Sequence, residues 1–345
     1  MEERSLKYVA DACGAEILSG AAESKIKNVC TDSRAVKPGD LFFAIAGEKF
    51  DGHDFVADVA AKGAAAVVVL KSKVQSLKSK VPSGCAVLAV DDMRVAFGKL
   101  AAMYRRDFSL PVTVVGGSNG KTTTKELLAS LLRQKFSTLW SEASFNNDIG
   151  VPATLLRLEK SHQAAVLEAG TNHPGELGPL VNIIQPKYGV ITSIGREHLE
   201  FFGDLAGVAQ EEGWLAELLP ADGTLFLNGD SAWAEQIAAR TKAKLVRVGF
   251  DKKNDWHASK VRLDKGGVTF QVAAPKAEFS GEYRINLLGR HQVVNALLAI
   301  GSGEEHGLGR AEIQRGLAEC QPPKMRMQFW EANGVRVLDD CYNAN

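Results

Sequence analysis

The chain has 345 residues, of which 45% are hydrophobic and 24% are charged, a composition typical of a globular protein. This length predicts two to three domains. Lys plus Arg and Asp plus Glu both number 41, so the formal net charge is zero. Without a basic excess, nothing points to nucleic acid or a membrane surface, and we expect a small-molecule partner.

The cysteines and the N-terminus indicate the compartment. Five cysteines lie far apart with no Cys-x-x-Cys pair, which argues against a disulfide framework and a zinc site and favours the reduced cytoplasm. The N-terminus is charged, and no run of about eighteen apolar residues occurs. We therefore expect a protein that is neither exported nor membrane-spanning.

Residues 1 to about 108 are predicted to form a small α/β domain. Residues 40–45 and 64–70 are typical of buried strands, with a helical pattern between them. Residues 31–34 and 49–55 gather polar and charged groups on predicted loops, where binding residues tend to lie. From composition alone, a binding loop and a solvated turn fit these stretches equally well.

The most informative stretch is residues 111–125, a β-branched apolar run followed by glycines and then by Lys121 and Thr122. This pattern predicts a strand, a phosphate-binding loop and a helix. Lys121 would supply charge to the outer phosphates of ATP, and the Thr122 hydroxyl would ligate Mg²⁺. The loop is one residue shorter than the general form, because Val115 occupies the place of the first glycine. An ordinary βα turn is the alternative, which the strand–loop–helix context disfavours.

Residues 109–322 are predicted to form a central domain with a mostly parallel sheet covered on both faces. Strands at 164–168, 189–194, 224–227 and 245–248 alternate with helical stretches. Glu168 closes one strand and His198 follows another, so both would lie at the edge that carries the phosphate loop. An acid that ends an apolar strand favours a metal role over a surface role. His198 alone is more typical of a structural histidine, since magnesium prefers oxygen.

The pattern changes after residue 256. Segments 260–263 and 268–272 predict an appended antiparallel region. A helix is then expected from about residue 288, with His291 and Asn295 on one face of its first turn. Pro322 and Pro323 mark a boundary, and residues 325–340 predict a hairpin around Asn333-Gly334. The ending at 339–345 looks cut, since a polar loop after a strand normally leads into another element.

With these stretches laid out, the chain resembles the Mur ligases, the ATP-dependent amide-forming enzymes of peptidoglycan synthesis. The short loop, residues 117–125, is that family's own form. Residues 145–152, 168–176 and 339–345 resemble the motifs of the branch that adds D-alanyl-D-alanine to UDP-N-acetylmuramoyl-tripeptide. The resemblance implies a fold of class α/β: a UDP-sugar-binding domain at 1–108, a P-loop ATPase domain at 109–322, and the start of a Rossmann-like domain at 323–345.

The resemblance also implies residue roles. The expected ATP contacts are Gly117, Ser118, Asn119, Gly120, Lys121, Thr122, Thr123, Asn295, Arg326, Asp340 and Asn343. The expected catalytic and Mg²⁺-site residues are Lys121, Thr122, Glu168 and His198. The expected substrate contacts are Ser33, Arg34, Asp51 and His53 for the UDP end, and Asn146 and Asn147 for the muramoyl peptide.

In the reaction that the resemblance implies, ATP phosphorylates the terminal carboxylate of the tripeptide, and the amine of D-alanyl-D-alanine attacks the acyl phosphate. No protein nucleophile is required, and we expect a monomer. Whether the third residue of the tripeptide is diaminopimelate or lysine stays open. The alternatives are another amino-acid-adding Mur ligase and a non-catalytic nucleotide-binding homologue.

Three departures from the family pattern matter. The family usually has Thr where this chain has Gly116. The family's carbamylated lysine, which helps to hold a second magnesium, corresponds to Glu212 here, and we expect this carboxylate to replace the carbamate. The alternative for Glu212 is a helix-surface acid. Lastly, we expect most of the third domain to be missing.

Overall fold

The computed structural model describes residues 1–77 and 81–342. The strands are β1 Arg4–Ser5, β2 Glu16–Ser19, β3 Lys25–Ile26, β4 Asn28–Cys30, β5 Asp40–Phe43, β6 Ala66–Leu70, β7 Ala86–Val90, β8 Val112–Gly116, β9 Thr138–Trp140, β10 Ala164–Glu168, β11 Tyr188–Ile191, β12 Thr224–Asn228, β13 Lys244–Gly249, β14 Trp256–Asp264, β15 Gly267–Ala273, β16 Gly281–Ile285, β17 Gln328–Ala332 and β18 Val335–Asp339. The α-helices are α1 Leu6–Cys13, α2 Val56–Ala61, α3 Val74–Leu77, α4 Met93–Arg105, α5 Lys121–Leu132, α6 Gly150–Leu155, α7 Leu177–Ile184, α8 Leu199–Phe202, α9 Leu205–Glu217, α10 Ala234–Ala238, α11 Gln292–Glu305 and α12 Arg310–Glu319. Within these ranges, no helix has the length and apolar content that crossing a bilayer requires.

The chain forms two compact units, one of residues 1–109 and 148–160 and the other of residues 110–147 and 161–345. The predicted boundary between the first and the central domain stays a prediction, but residues 148–160 group with the first unit by their contacts. This segment carries α6, which packs on α4. The Tyr104 hydroxyl donates to the Leu158 carbonyl oxygen at 2.6 Å, and Arg94 pairs with Asp148 at 2.7 Å. Such a return of the chain depends on non-local contacts, which a local sequence pattern does not carry.

The first unit is built on a five-stranded sheet with the order β2-β7-β6-β5-β4. Strands β4 to β7 are parallel, and β2 is antiparallel to β7. The two expected buried strands are present as β5 and β6, each slightly shorter than predicted, and α2 lies between them in the chain. The loops that follow β4 and β5 therefore leave from the same edge of the sheet.

The second unit is built on a nine-stranded sheet with the order β16-β15-β14-β13-β12-β11-β8-β10-β9. The strands from β9 across to β14 are parallel, and β15 and β16 are added antiparallel. This confirms the predicted α/β class, with its mostly parallel sheet and appended antiparallel region. The phosphate-loop strand β8 is central, flanked by β11 and β10.

Successive residues of β8 face opposite sides of the sheet, as in any strand. Val115 belongs to a buried core that includes Leu128 of α5 and Leu297 of α11. The next residue, Gly116, faces α9, where its nearest neighbours are Glu212 and Leu215. The strand therefore ends with its last residue against a buried acid.

Some element boundaries differ from the predictions in detail. Strand β11 ends at Ile191 instead of 194, because residues 192 and 193 bond to the phosphate loop. Helix α11 begins at Gln292, so His291 is the residue that precedes the helix. The predicted hairpin around Asn333-Gly334 is present as β17 and β18, while its membership of a third domain stays a prediction.

Candidate active site

The glycines of the phosphate loop occupy backbone conformations that other residues rarely adopt. Gly117 and Gly120 have φ values of +103° and +90°. A Cβ on Gly117 would lie 2.8 Å from the Thr192 backbone nitrogen, and one on Gly120 would lie 2.5 Å from the Asn295 Oδ1 atom. Both positions therefore require glycine, for conformation and for space.

The first three amides of the loop bond to the protein. The Gly117 N–H donates to the Glu212 Oε2 atom at 2.6 Å. The Ser118 N–H donates to the Ser193 carbonyl oxygen at 2.7 Å, and the Asn119 N–H donates to the Ser193 Oγ atom at 3.0 Å. These three amides hold the loop to its neighbours. The first-turn amides of α5, which have no partner within the helix, are left to meet an anion.

Lys121 lies over this loop. Its Nζ atom donates to the carbonyl oxygens of Gly117 at 2.5 Å and Ser118 at 3.0 Å. It also pairs with the Glu197 Oε2 atom at 3.4 Å, and both side chains are largely buried. The carboxylate of Glu197 therefore balances the positive charge of Lys121, which the sequence analysis assigns to binding the phosphates of ATP.

Three residues that the sequence assigns to magnesium each carry a buried oxygen without a hydrogen-bond partner: Thr122 Oγ1, Glu168 Oε2 and Glu212 Oε1. Unpartnered buried oxygens, two of them from carboxyl groups, are costly unless a cation or donor meets them. In the described part of the chain, no group of three His, Cys, Asp or Glu residues could hold a metal alone. A hydroxyl and carboxylates beside a phosphate loop nevertheless form a fitting oxygen set for Mg²⁺.

Glu212 is fully inside unit 2, with 1% of its surface exposed. The alternative of a helix-surface acid is therefore wrong. A Cβ on Gly116 would lie 3.0 Å from the Glu212 Oε2 atom and 3.3 Å from Leu215. The two departures from the family pattern, at residues 116 and 212, are thus neighbours in space, and the missing side chain of Gly116 makes room for the carboxyl group.

Glu168 is also buried, and its Oε1 atom accepts a hydrogen bond from the Asn146 Nδ2 atom at 2.9 Å. Asn147, the other predicted peptide contact, follows at the surface. His198 is exposed and precedes α8 with a φ of +45°. The structure brings Asn146 to the candidate metal site, while a metal role for His198 stays a prediction.

The predicted ATP contacts outside the phosphate loop fall into two groups. Asn295 is buried against Gly120, and its Nδ2 atom donates to the Gln292 Oε1 atom. Arg326 lies over the ring of Tyr342 at 4.4 Å, and the Asp340 Oδ1 atom accepts from the Met327 N–H. Asn343 lies outside the described residues.

The predicted uridine contacts lie in unit 1, after strands β4 and β5. Arg34 donates to both carboxylate oxygens of Asp32, and this holds the pKa of Asp32 low, at about 2. The Ser33 carbonyl oxygen accepts from Lys62. His53 is buried, with Nδ1 bonded to Asp51 at 2.6 Å.

The other ring nitrogen of His53, Nε2, accepts from the Leu70 N–H at 3.0 Å. Both ring nitrogens of His53 therefore have partners within unit 1, so this residue shapes the loop from inside instead of offering a free polar atom.

Sequence reasoning missed three site residues. Glu197 pairs with Lys121, as described above. Glu211 is buried and accepts from the Gly175 and Leu177 N–H groups, which fixes the start of α7. Lys125 is buried and bonds to residues 141 and 143. The one available signal for Lys125 was its position on the buried face of the helical pattern of α5. Glu197 and Glu211 depend on long-range contacts, which the sequence pattern does not show.

Comparison with known proteins decides the family. The Mur ligase middle domain model matches residues 115–303, and the model described as Mur ligase family, catalytic domain, matches residues 25–105. The chain is 36% identical over 339 residues to the UDP-N-acetylmuramoyl-tripeptide–D-alanyl-D-alanine ligase of Escherichia coli, covering 96% of this chain and 72% of the relative. This chain belongs to the Mur ligase family.

Further relatives agree with this assignment to the Mur ligases. The ligase of the same name from Bacillus subtilis is 31% identical to this chain. The alignment covers 100% of this chain and 73% of that ligase. The crystal structure of MurF from Acinetobacter baumannii superposes with a TM-score of 0.91 at 32% identity, over 100% of this chain and 74% of that one. The crystal structure of the MurF ligase of Thermotoga maritima in complex with ADP superposes with a TM-score of 0.79 at 25% identity. The match covers 92% of this chain and 71% of that one.

The buried carboxyl group of Glu212 leads to a prediction about pH. Burial raises its pKa from the ordinary 4.5 to about 7, although the charge of Lys121 opposes the shift. A carboxyl group whose folded pKa is raised favours folding while protonated, so this contribution is lost as the pH rises from 4.5 through 7. Without metal, Glu212→Gln should therefore gain stability over the parent across this range, on the order of 3 kcal/mol at pH 8.

Chemical denaturation in EDTA at several pH values measures this difference. Glu217→Gln, at the end of the same helix, is the matched control; it removes a more exposed carboxylate that pairs with Arg240, so it should gain no stability over the parent and change it by at most about 1 kcal/mol. A Glu212→Gln variant whose stability relative to the parent is independent of pH would contradict the assigned ionisation.

Proposed function

We propose that this Mur ligase joins D-alanyl-D-alanine to UDP-N-acetylmuramoyl-tripeptide with hydrolysis of ATP. The observation that carries the substrate assignment is the similarity, along nearly the whole chain, to relatives that bear this name. The motifs at 145–152 and 168–176 support the same branch, and the second of them begins at Glu168. We also propose a monomer that acts in the cytoplasm, where the reduced cysteines and the nucleotide substrates fit.

The nucleotide is proposed to bind at the start of α5. The glycine conformations at 117 and 120, the position of Lys121 and the likeness to a relative in complex with ADP support this. Thr123, buried in the first turn of the helix, adds an amide at the same end. Asn295 lies against Gly120 and is proposed to hold the adenine. Arg326 is proposed to act near the phosphates, and Asp340 and Asn343 are proposed to contact the ribose and adenine.

Thr122 and Glu168 would hold the magnesium ion, with His198 as a further site residue. The unpartnered buried oxygens of Thr122 and Glu168 support this. Magnesium, when bound, would neutralise part of the charge on the transferring phosphoryl group. Asn146, bonded to one oxygen of Glu168, orients the carboxylate and leaves the other oxygen available.

Glu212 is proposed to take the place of the carbamylated lysine. Its Oε2 atom holds the Gly117 amide, and its Oε1 atom has no partner, so one carboxyl group serves both the loop and an ion. A glutamate carboxylate is permanent, whereas a carbamate forms from carbon dioxide. We therefore expect a second magnesium to depend on Glu212 and not on bicarbonate.

Lys121 would supply the charge that meets the phosphates. In the structure it is bonded to loop carbonyl oxygens and to Glu197, so a nucleotide phosphate competes with Glu197 for it. The tripeptide carboxylate attacks the γ-phosphorus and ADP leaves; the amine then attacks the acyl carbon and phosphate leaves. Catalysis then rests on positioning and charge, and no side chain forms a covalent bond.

The UDP end is proposed to bind at the strand ends of unit 1. A cavity of about 300 Å³ lies there, lined by Ala46, His53, Leu70, Asp91 and Arg94 among others. This volume is at the lower end of small-molecule sites. Ser33, Arg34 and Asp51 leave the same edge of the sheet, so they are proposed to contact the uridine or its phosphates, with His53 supporting the loop.

The first test is ligation by the complete gene product. Phosphate release from ATP should require both UDP-N-acetylmuramoyl-tripeptide and D-alanyl-D-alanine, and adding bicarbonate should not raise the rate. Lys121→Ala should lower kcat by about 100-fold or more, since it removes a charge aimed at the transition state, on the order of 3 kcal/mol. Phosphate release that ignores either acceptor, or ordinary turnover by Lys121→Ala, would refute the proposal.

The uridine site is tested by titrating the whole chain with UDP. Ala46→Trp fills the cavity and should abolish UDP binding, and Arg34→Ala should weaken it. Both variants should bind ADP as the parent does, because the nucleotide loop belongs to unit 2. Unchanged UDP affinity in Ala46→Trp would move the uridine site elsewhere.

A further inference from the structure

Lys125 is a charged residue with no exposed surface, one turn after Lys121 on α5. Its Nζ atom donates to the Ser141 carbonyl oxygen at 2.7 Å and to the Ala143 carbonyl oxygen at 2.8 Å. It also pairs with the Glu126 carboxylate at 2.7 Å. A buried ammonium group is costly unless its hydrogens are used, and these partners meet that need.

Both carbonyl acceptors belong to residues 141–147, which we call the 141–147 segment. Its first residue is attached to strand β10: the Ser141 N–H donates to the Val166 carbonyl oxygen, and the Ser141 hydroxyl oxygen accepts from the Glu168 N–H at 3.1 Å. Its other end is attached to the loop after β10, since the Gly170 N–H donates to the Asn146 carbonyl oxygen. Lys125 thus binds the segment near its start.

The middle of the segment is held in an unusual conformation. Ala143 has a φ of +45°, a region that residues with a Cβ rarely adopt and that persists only when surrounding contacts impose it. The Ala143 carbonyl oxygen is one of the two acceptors of Lys125. The ammonium group is therefore positioned to impose this turn.

The turn sets the position of Asn146, whose side chain donates to the Glu168 Oε1 atom at 2.9 Å. A Cβ on Gly170 would lie 2.7 Å from the Asn146 Nδ2 atom, so the amide is packed closely and has little freedom. We propose that Lys125 is a positioning residue: through the 141–147 segment and Asn146, it aims the unpartnered oxygen of Glu168 at the metal site. This inference rests on the proposed nucleotide–magnesium site.

A series of contacts therefore joins helix α5, through the 141–147 segment, to the carboxylate at the end of strand β10. Lys121, Thr122 and Lys125 lie on α5, and Glu168 lies on β10. Lys125 makes the two elements act together, because movement of α5 would carry the 141–147 segment with it. A merely structural role would instead stabilise the unit without any specific effect on the metal.

The test measures ADP affinity by calorimetry, with and without Mg²⁺, for the whole chain. The parent should bind ADP more tightly with Mg²⁺. Lys125→Met should bind ADP without metal as tightly as the parent does. With Mg²⁺, its ADP affinity should be roughly 10- to 100-fold weaker than that of the parent, a loss typical of residues that support metal ligands. Asn146→Ala should give the same loss, and the double variant should be no worse than the more affected single variant.

Lys135→Met is the matched control, since this lysine also donates to a carbonyl oxygen, that of Gly307, but at an exposed site. It should bind ADP and Mg²⁺ as the parent does. Lys125→Gln, one bond shorter but still polar, serves if the methionine variant does not fold, and should show the same selective loss.

A folded Lys125 variant with the parent's Mg²⁺ effect would overturn the proposal, as would additive losses in the double variant. Equal weakening of metal-free and Mg²⁺-bound ADP would also overturn it, because it would show general damage to α5. A parent chain that binds no ADP would refute the proposed nucleotide site, and this inference with it.

Discussion

Three buried oxygens without partners, on Thr122, Glu168 and Glu212, are the constraint on which the rest of the site depends. Two of them belong to carboxyl groups that are almost wholly removed from water. Burial of oxygens without partners is costly, and a bound cation would offset that cost. Thr122 lies in the first turn of α5, Glu168 ends strand β10 beside β8, and Glu212 bonds to the loop between β8 and α5, so all three border the proposed phosphate and magnesium sites. Binding of nucleotide and metal should therefore be mutually dependent.

The phosphate loop is shaped from outside as much as by its own glycines. Ser193 holds two of its amides, and Glu212 holds a third. The carboxyl group of Glu212 fits because Gly116 has no side chain. A side chain at residue 116 would require the carboxyl group of Glu212 to move, so the two departures from the family pattern are in contact.

Much of this was readable from local pattern. The β-branched run before Gly116 predicts β8, and the apolar spacing after Lys121 predicts α5, because both depend on near neighbours in the chain. Glu168 was found because an acid that ends an apolar strand lies at the ligand edge of a parallel sheet. His198 was placed at the same edge because it follows a predicted strand, but its metal role, like that of Glu212, entered through the family resemblance.

The rest depends on contacts between distant residues. Glu197 reaches Lys121 across 76 positions, and Gly117 reaches Glu212 across 95, so no window of sequence contains either pair. The return of residues 148–160 to unit 1 is of the same kind. Likewise, composition left the loop of His53 open between a binding loop and a solvated turn, and only the family resemblance assigned this residue to the UDP end; both of its ring nitrogens are bonded within unit 1.

The most direct test of the account is anomalous diffraction from crystals grown with ADP and Mn²⁺ in place of Mg²⁺. The account predicts a strong manganese peak within about 2.2 Å of the Thr122 Oγ1 atom or the Glu168 Oε2 atom, with Glu212 Oε1 facing the same cluster of ions. A bound ADP with no manganese near these oxygens would contradict it.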